Sequence, residues 1–117
     1  MQITINELEA GPTLVSIQGN LDIAGSQEAD ATLSTLNKGR EGGLRKVILD
    51  LSGVGLVASL GIRSLVMAAK GVAQRGGKTV AFGANDDVSK VLKRTGIDAM
   101  IPLLADQESA VSKLTEE

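Results

Sequence analysis

The stretch Leu49-Asp50-Leu51-Ser52-Gly53-Val54-Gly55-Leu56-Val57-Ala58-Ser59-Leu60-Gly61-Ile62-Arg63 carries the strongest chemical signal in the chain. A strand-like apolar run empties into a glycine-containing loop, and the loop delivers Ser59 to the start of a helical repeat. A serine there is expected to cap the helix. Its hydroxyl would accept one of the unpaired first-turn amides, worth about 0.5–2 kcal/mol against alanine. The same position suits a phosphate, because free amides and the positive end of the helix dipole stabilise an anion. Phosphorylation would add about −1.5 to −2 charge to an apolar corner shared with Leu60, without unfolding the domain. Charge at such a corner switches a binding face off.

Other chemistries are largely excluded. The 117 residues include no His and no Cys. That removes the usual zinc, haem, iron–sulfur and copper ligand sets, Ser-His-Asp and Cys-His nucleophiles, and disulfides. Phe82 is the one aromatic residue, so a stacking platform for single-stranded nucleic acid is missing as well. Gly76-Gly77-Lys78-Thr79 imitates the tail of a phosphate-binding loop. It falls between a helix and the next strand, the reverse of the order that aims amides at a phosphate, and reads as a helix stop. Asp50 near a strand end suggests a receiver-type phosphoacceptor, but the last strand expected, Met100-Ile101-Pro102-Leu103, lacks the lysine of such sites. Glu7, Glu9, Asp22 and Asp50 could meet at strand ends, but nothing in their spacing requires it, and no metal or cofactor is expected. Asp86-Asp87 fit the start of a helix, and Met67 and Met100 fit packing.

These residues need a scaffold. Ile3 and Ile5 alternating with Thr4 and Asn6 predict a strand over residues 2–8. Gly11-Pro12 is a turn signal, and residues 13–17 form a second strand. So short a connection favours an antiparallel hairpin. A helix is predicted over 26–38, capped by Ser26, with Ala29, Leu33 and Leu36 as its apolar stripe and Gly39, Gly42 and Gly43 as its stop. Residues 46–51 form a central strand. A second helix over 59–74 carries Ile62, Leu65, Val66, Ala69, Val72 and Ala73 at i, i+3, i+4 spacing. A strand over 78–82, a helix over 86–94 ended by Gly96, a short strand over 100–103 and a helix over 106–114 complete the order. The fold class is α/β, a mixed, mostly parallel five-stranded sheet with an N-terminal antiparallel hairpin and four main helices.

The length fits one domain spanning residues 1–117. The 12 Lys+Arg and 14 Asp+Glu give a net charge of −2. The bases concentrate between residues 59 and 96, where Arg63, Lys70, Arg75, Lys78, Lys90, Lys93 and Arg94 face only Asp86 and Asp87. With no aromatic side chain among them, they read as the solvated sides of two helices, and no direct nucleic-acid contact is expected. The N-terminal residues lack the basic and apolar segments of a signal peptide. No apolar run approaches the roughly 20 residues of a membrane span. A cytoplasmic protein is expected.

Five stretches in order resemble the STAS domain family, specifically its small bacterial anti-sigma factor antagonists. Gly19-Asn20-Leu21-Asp22 is similar to the family's G-x-L-D after the second strand, and Leu49-Asp50-Leu51-Ser52-Gly53-Val54 to its L-D-L-S-x-V strand. Ser59-Leu60-Gly61-Ile62 falls where the family's phosphoacceptor serine and following glycine lie. Arg75-Gly76-Gly77-Lys78 and the segment Leu92-Lys93-Arg94-Thr95-Gly96-Ile97-Asp98 match two further stretches. The resemblance implies a STAS-like fold and a protein that is not an enzyme. It implies binding, when unphosphorylated, to a GHKL-type serine kinase that doubles as an anti-sigma factor. Phosphorylation of Ser59 would break that complex, and a PP2C-type serine phosphatase would restore it. Gly61 would permit close partner approach, and Asn20 and Asp22 would border the partner or nucleotide side. Where the family usually has D-S-[ST]-G, this chain has Ala58-Ser59-Leu60-Gly61. That bears on which kinase recognises it, and removes a second hydroxyl as acceptor.

Helical spacing adds Arg63, Met67 and Lys70, on the side of the second helix away from its apolar stripe, as rim contacts. Two other readings stay open: a non-switching STAS subunit of a larger assembly, such as an ABC lipid-transport complex or a stressosome-like scaffold, and a small-ligand or nucleotide-binding domain.

Overall fold

Alternating isoleucines build the opening hairpin: β1 (Gln2–Glu7) runs antiparallel to β2 (Thr13–Gln18), with Ile3 opposite Ile17 and Ile5 opposite Val15. The computed structural model describes residues 2–8, 11–35, 46–74 and 76–115. The hairpin is followed by α1 (Ile23–Thr35), β3 (Lys46–Gly53), α2 (Ser59–Gln74), β4 (Lys78–Phe82), α3 (Asp86–Arg94), α4 (Ile97–Met100), β5 (Leu103–Leu104) and α5 (Gln107–Thr115). The strands stand in chain order across one sheet, and every pairing after the hairpin is parallel. A parallel return needs a crossover, and the helices supply it. The expected class holds, with the single-turn α4 as an addition to the four longer helices.

The pleat divides the sheet's side chains between two apolar layers. Val47, Leu49 and Leu51 of β3 pack with Leu65, Ala69 and Val72 of α2, Ala29 of α1, and Val88 and Leu92 of α3. Ile48 faces the other way, onto Leu14, Val80 and the α5 residues Ala110 and Leu114. Burying side chains such as Leu49, Leu51 and Leu65 contributes about 1.5–3 kcal/mol each. The buried face of α2 is rotated from the predicted stripe. Gly61 and Ser64 are buried on it, while Ile62 and Val66 are half-buried and Ala73 is exposed.

Helix ends follow local chemistry. At the end of α2, Gly76 has φ 78°, its amide donates to the Ala73 carbonyl at 2.9 Å, and the Gly77 amide donates to the Val72 carbonyl at 3.0 Å. That paired left-handed termination is the helix stop read from Gly76-Gly77. Asn85 caps α3 by accepting the Val88 amide at 2.8 Å, with Asp86 and Asp87 in the positive first turn and Gly96 left-handed after the end. Asp106 caps α5, accepting the Ser109 amide at 2.8 Å, and this bond holds its carboxyl below the usual 3.8.

Two boundaries differ from the sequence reading. Helix α1 starts at Ile23, with Asp22 and not Ser26 as its cap: Asp22 Oδ1 accepts the Gly25 amide, and its carbonyl the Ser26 amide, both at 2.8 Å. Aspartate is as good a cap as serine, and Ser26 is needed inside, where it is 2% exposed. The expected end near Lys38, with Leu36, Gly39, Gly42 and Gly43, lies outside the described residues. The predicted strand over 100–103 splits. Residues Ile97–Met100 form α4, and only Leu103 and Leu104 pair with β4. The left-handed Gly96 starts a new turn, and Pro102 has no amide to give a ladder.

Candidate functional site

Two loops leave the carboxyl ends of β2 and β3 and are stitched together. The Gly19 amide donates to the Gly53 carbonyl at 3.0 Å, the Leu21 amide to the Leu56 carbonyl at 2.8 Å, and the Ala58 amide to the Leu21 carbonyl at 2.8 Å. Leu21 and Val57 form an isolated parallel bridge. Their side chains, with Val54, are buried beneath. The β2 loop is thus anchored by Leu21 and the β3 loop by Val54 and Val57, which leaves Asn20, Gly55 and Leu56 outside.

Ser59 lies at the end of this frame, exposed, as the first residue of α2. The capping role predicted for it falls to the preceding residue, since the Ala58 carbonyl accepts the first helical bond, from the Ile62 amide at 3.0 Å. The Ser59 hydroxyl takes no partner among the described residues. It is free to react, at the turn where four amides of a helix lack intrahelical acceptors.

The neighbours make an apolar corner. Leu56 is 52% exposed and Leu60 41% exposed. Arg63, Met67 and Lys70 continue from Leu60 at i+3, i+7 and i+10, and all three are exposed. Met67 at 58% and Met100 at 42% exposure are therefore surface residues, not the packing expected of them. Leu56 was not among the residues singled out in the sequence. Its only signal there is that Val54 and Val57 take the buried positions on either side.

Asn20 and Asp22 are exposed on the adjoining loop. Asn20 Oδ1 lies 3.0 Å from where a Cβ on Gly55 would be, so it rests against the β3 loop. Asp22 is engaged as the cap of α1. Gly61 is buried, and the close approach it permits is to its own chain: a Cβ there would meet Leu21 Cβ and the Leu21 carbonyl at 2.6 Å. The structure thus brings Asn20, Asp22, Ala58, Ser59 and Leu60 to one end of the sheet, with Gly61 beneath them and Arg63, Met67 and Lys70 along the helix.

Of the acids that could meet at strand ends, Glu9 lies outside the described residues, and Asp22 and Asp50 are each engaged locally, Asp22 as the α1 cap. Asp50 shares its sheet face with Ile48, and its carboxylate accepts from the Ser52 amide at 3.0 Å and the Ser52 hydroxyl at 2.6 Å. No group of three or more metal-ligating side chains occurs among the described residues. Among those residues no helix is long and apolar enough to cross a membrane.

Known proteins share this fold. BtrV, a candidate anti-sigma factor antagonist of Bordetella bronchiseptica, is 26% identical over 96% of this chain and 93% of its own length. The fold superimposes on a candidate anti-sigma factor antagonist from Thermotoga maritima with a TM-score of 0.86 at 20% identity, covering 97% of this chain and 95% of that one. It superimposes on the Bacillus cell fate determinant SpoIIAA in its phosphorylated form with a TM-score of 0.71 at 16% identity, over 96% and 98% of the two chains. The STAS domain family model matches residues 4–110, and the chain belongs to that family.

Proposed function

We propose that the protein is an anti-sigma factor antagonist that works by partner switching, with Ser59 as the switched residue. The observation that carries this is the unpartnered, exposed Ser59 hydroxyl between the exposed Leu56 and Leu60. A relative named as an antagonist, and a structural neighbour described in a phosphorylated form, support the reading. In the unphosphorylated state the corner of Leu56, Leu60 and Met67 docks on a GHKL-type serine kinase, with Arg63 and Lys70 at the rim. The kinase transfers the γ-phosphoryl group of ATP to Ser59 Oγ, and this chain is the substrate, not the catalyst. The phosphate then lies against an apolar partner surface, where an unpaired charge costs several kcal/mol. In the released chain Arg63, four residues further along the helix, is spaced to pair with that phosphate, which favours the free state over the complex. A PP2C-type phosphatase resets the corner by hydrolysis.

Ala58 and Leu60 are compatible with this mechanism. Ala58 contributes through its backbone, donating to Leu21 and accepting from Ile62. Leu60 adds apolar contact where a hydroxyl would be a second acceptor. The test is phosphorylation of the whole chain by its cognate kinase and ATP, read by mass spectrometry. One phosphate on Ser59, and none on the Ser59→Ala variant, supports the proposal. Phosphate on Thr95 with Ser59 bare would overturn it. Ser64 is no competitor, since it is buried and its hydroxyl donates to the Leu60 carbonyl at 3.0 Å. If neither form binds a kinase, a structural subunit of a larger STAS assembly is the better reading.

A further inference from the structure

The start of β4 lies at the end of the sheet remote from Ser59, because β3 and β4 run parallel. A cavity of about 280 Å³ opens there, walled by Ala69, Ala73, Ala99, Thr79, Lys78 and Lys113 among others. It exists because β5 is short. That strand pairs only with Ala81 and Phe82, so the outer edge of β4 from Lys78 to Val80 has no strand against it.

Among the described residues lining the cavity, the polar side chains are Lys78, Thr79 and Lys113. The Ala81 amide points outward to the Pro102 carbonyl at 2.9 Å. Strand alternation turns the Thr79 N–H and C=O toward the same edge. The Thr79 side chain is 5% exposed, and its hydroxyl has no hydrogen-bond partner. Valine has the same shape and a similar strand preference without that unsatisfied group, so the threonine here costs stability. Lys78 and Lys113 form no ion pair among the described residues, and none of the described residues lining the cavity is acidic.

We propose that this cavity binds a short aliphatic carboxylate. Its chain lies on Ala69, Ala73 and Ala99, and its carboxylate meets the Thr79 edge between the two lysines. A space of this size holds on the order of ten non-hydrogen atoms at liquid density. The proposal is independent of Ser59, and its outcome leaves the switching mechanism untouched.

The experiment titrates hexanoate into isotope-labelled full-length protein, followed by amide and alanine-methyl NMR, with hexylammonium as a control of equal length and opposite charge. Hexanoate alone should give saturable shifts at the Thr79 amide and the Ala69, Ala73 and Ala99 methyls. Thr79→Val should weaken hexanoate binding roughly three- to tenfold, the loss of one hydrogen bond, while the Tm of the unliganded protein stays level or rises. Lys78→Met combined with Lys113→Met should erase the preference over hexylammonium. Absence of saturable shifts in the low millimolar range would overturn the proposal. So would equal binding of hexylammonium, or an unchanged affinity in Thr79→Val.

Discussion

The Ala58 amide donates to the Leu21 carbonyl at 2.8 Å, tying the residue before Ser59 to the residue before Asp22. One bond thereby couples the start of α2 to the start of α1. Both loop tips ride on a single frame, so under the proposed mechanism a partner would meet the Ser59 corner and the Asn20–Asp22 loop in a fixed relation, with little ordering entropy lost on docking.

Ser59→Ala should change stability by no more than about 0.5 kcal/mol, because the hydroxyl makes no capping bond to lose. Ser59→Asp should also fold, since an acid in the first turn faces the positive dipole, worth about 0.3–1 kcal/mol. It should weaken kinase binding while Ser59→Ala keeps it. Thermal denaturation paired with calorimetric titration separates the two effects. Tight binding by a folded Ser59→Asp would sink the electrostatic account.

Leu56→Ala and Leu60→Ala should leave the Tm within a few degrees of wild type, since both side chains are largely in solvent already. Each should cost at least about 1 kcal/mol in kinase affinity if the corner is the docking anchor. Calorimetry on the purified pair checks this, and unchanged affinity in both variants would move the interface elsewhere.

Gly61→Ala tests an internal contact. The added methyl meets Leu21 at 2.6 Å, backbone carbonyl included, so a loss of about 1–3 kcal/mol is expected from overpacking. Urea denaturation should show a lower midpoint at an unchanged m-value. A wild-type midpoint would mean the two loops separate more easily than their hydrogen bonds suggest.

Asp22→Ala should cost about 0.5–2 kcal/mol by removing the α1 cap. Ser26→Ala should be neutral or stabilising, because the buried Ser26 hydroxyl has no partner to lose. Comparing the two midpoints decides which residue starts the helix.

Asp106 gives a pH signature. Its folded pKa is lowered from 3.8 by the Ser109 hydrogen bonds. The stability it adds is therefore fully present above the unfolded value and is lost as pH falls through the lower folded one. Protection factors of the α5 amides should fall under acid, and Asp106→Asn should flatten that dependence. Identical acid profiles for the two proteins would contradict the assignment.

Long periodic segments were legible in the residues. Residues 59–74 and 86–94 carry a strong repeat between clear stops, and their helices have those limits. The start of α1 was not, because Asp22 and Ser26 are equally good caps and only burial against α2 decides between them. Ser59 was found at its helix start, but as the first residue inside, since capping depends on a backbone angle that composition does not encode. The limits of the fifth strand are not legible, because Ile97-Asp98-Ala99-Met100 has no strong local preference and Pro102 confines the ladder to Leu103 and Leu104. The exposure of Leu56 is not legible in Val54-Gly55-Leu56-Val57, because only the stitching to Leu21 determines which apolar residue faces out.

The matching of strand order to chain order bears on how the molecule is made. Each strand docks beside the one synthesised just before it, so the sheet can grow outward from the hairpin as the chain emerges. The layer holding α1 and α2 closes along the way. The opposite layer does not, since Ile48 and Val80 are covered by Ala110 and Leu114 of α5, which follows all five strands in the chain. A ribosome stalled before residue 107 would present a paired sheet with one sticky face, and the nine residues of α5 complete its shielding from aggregation.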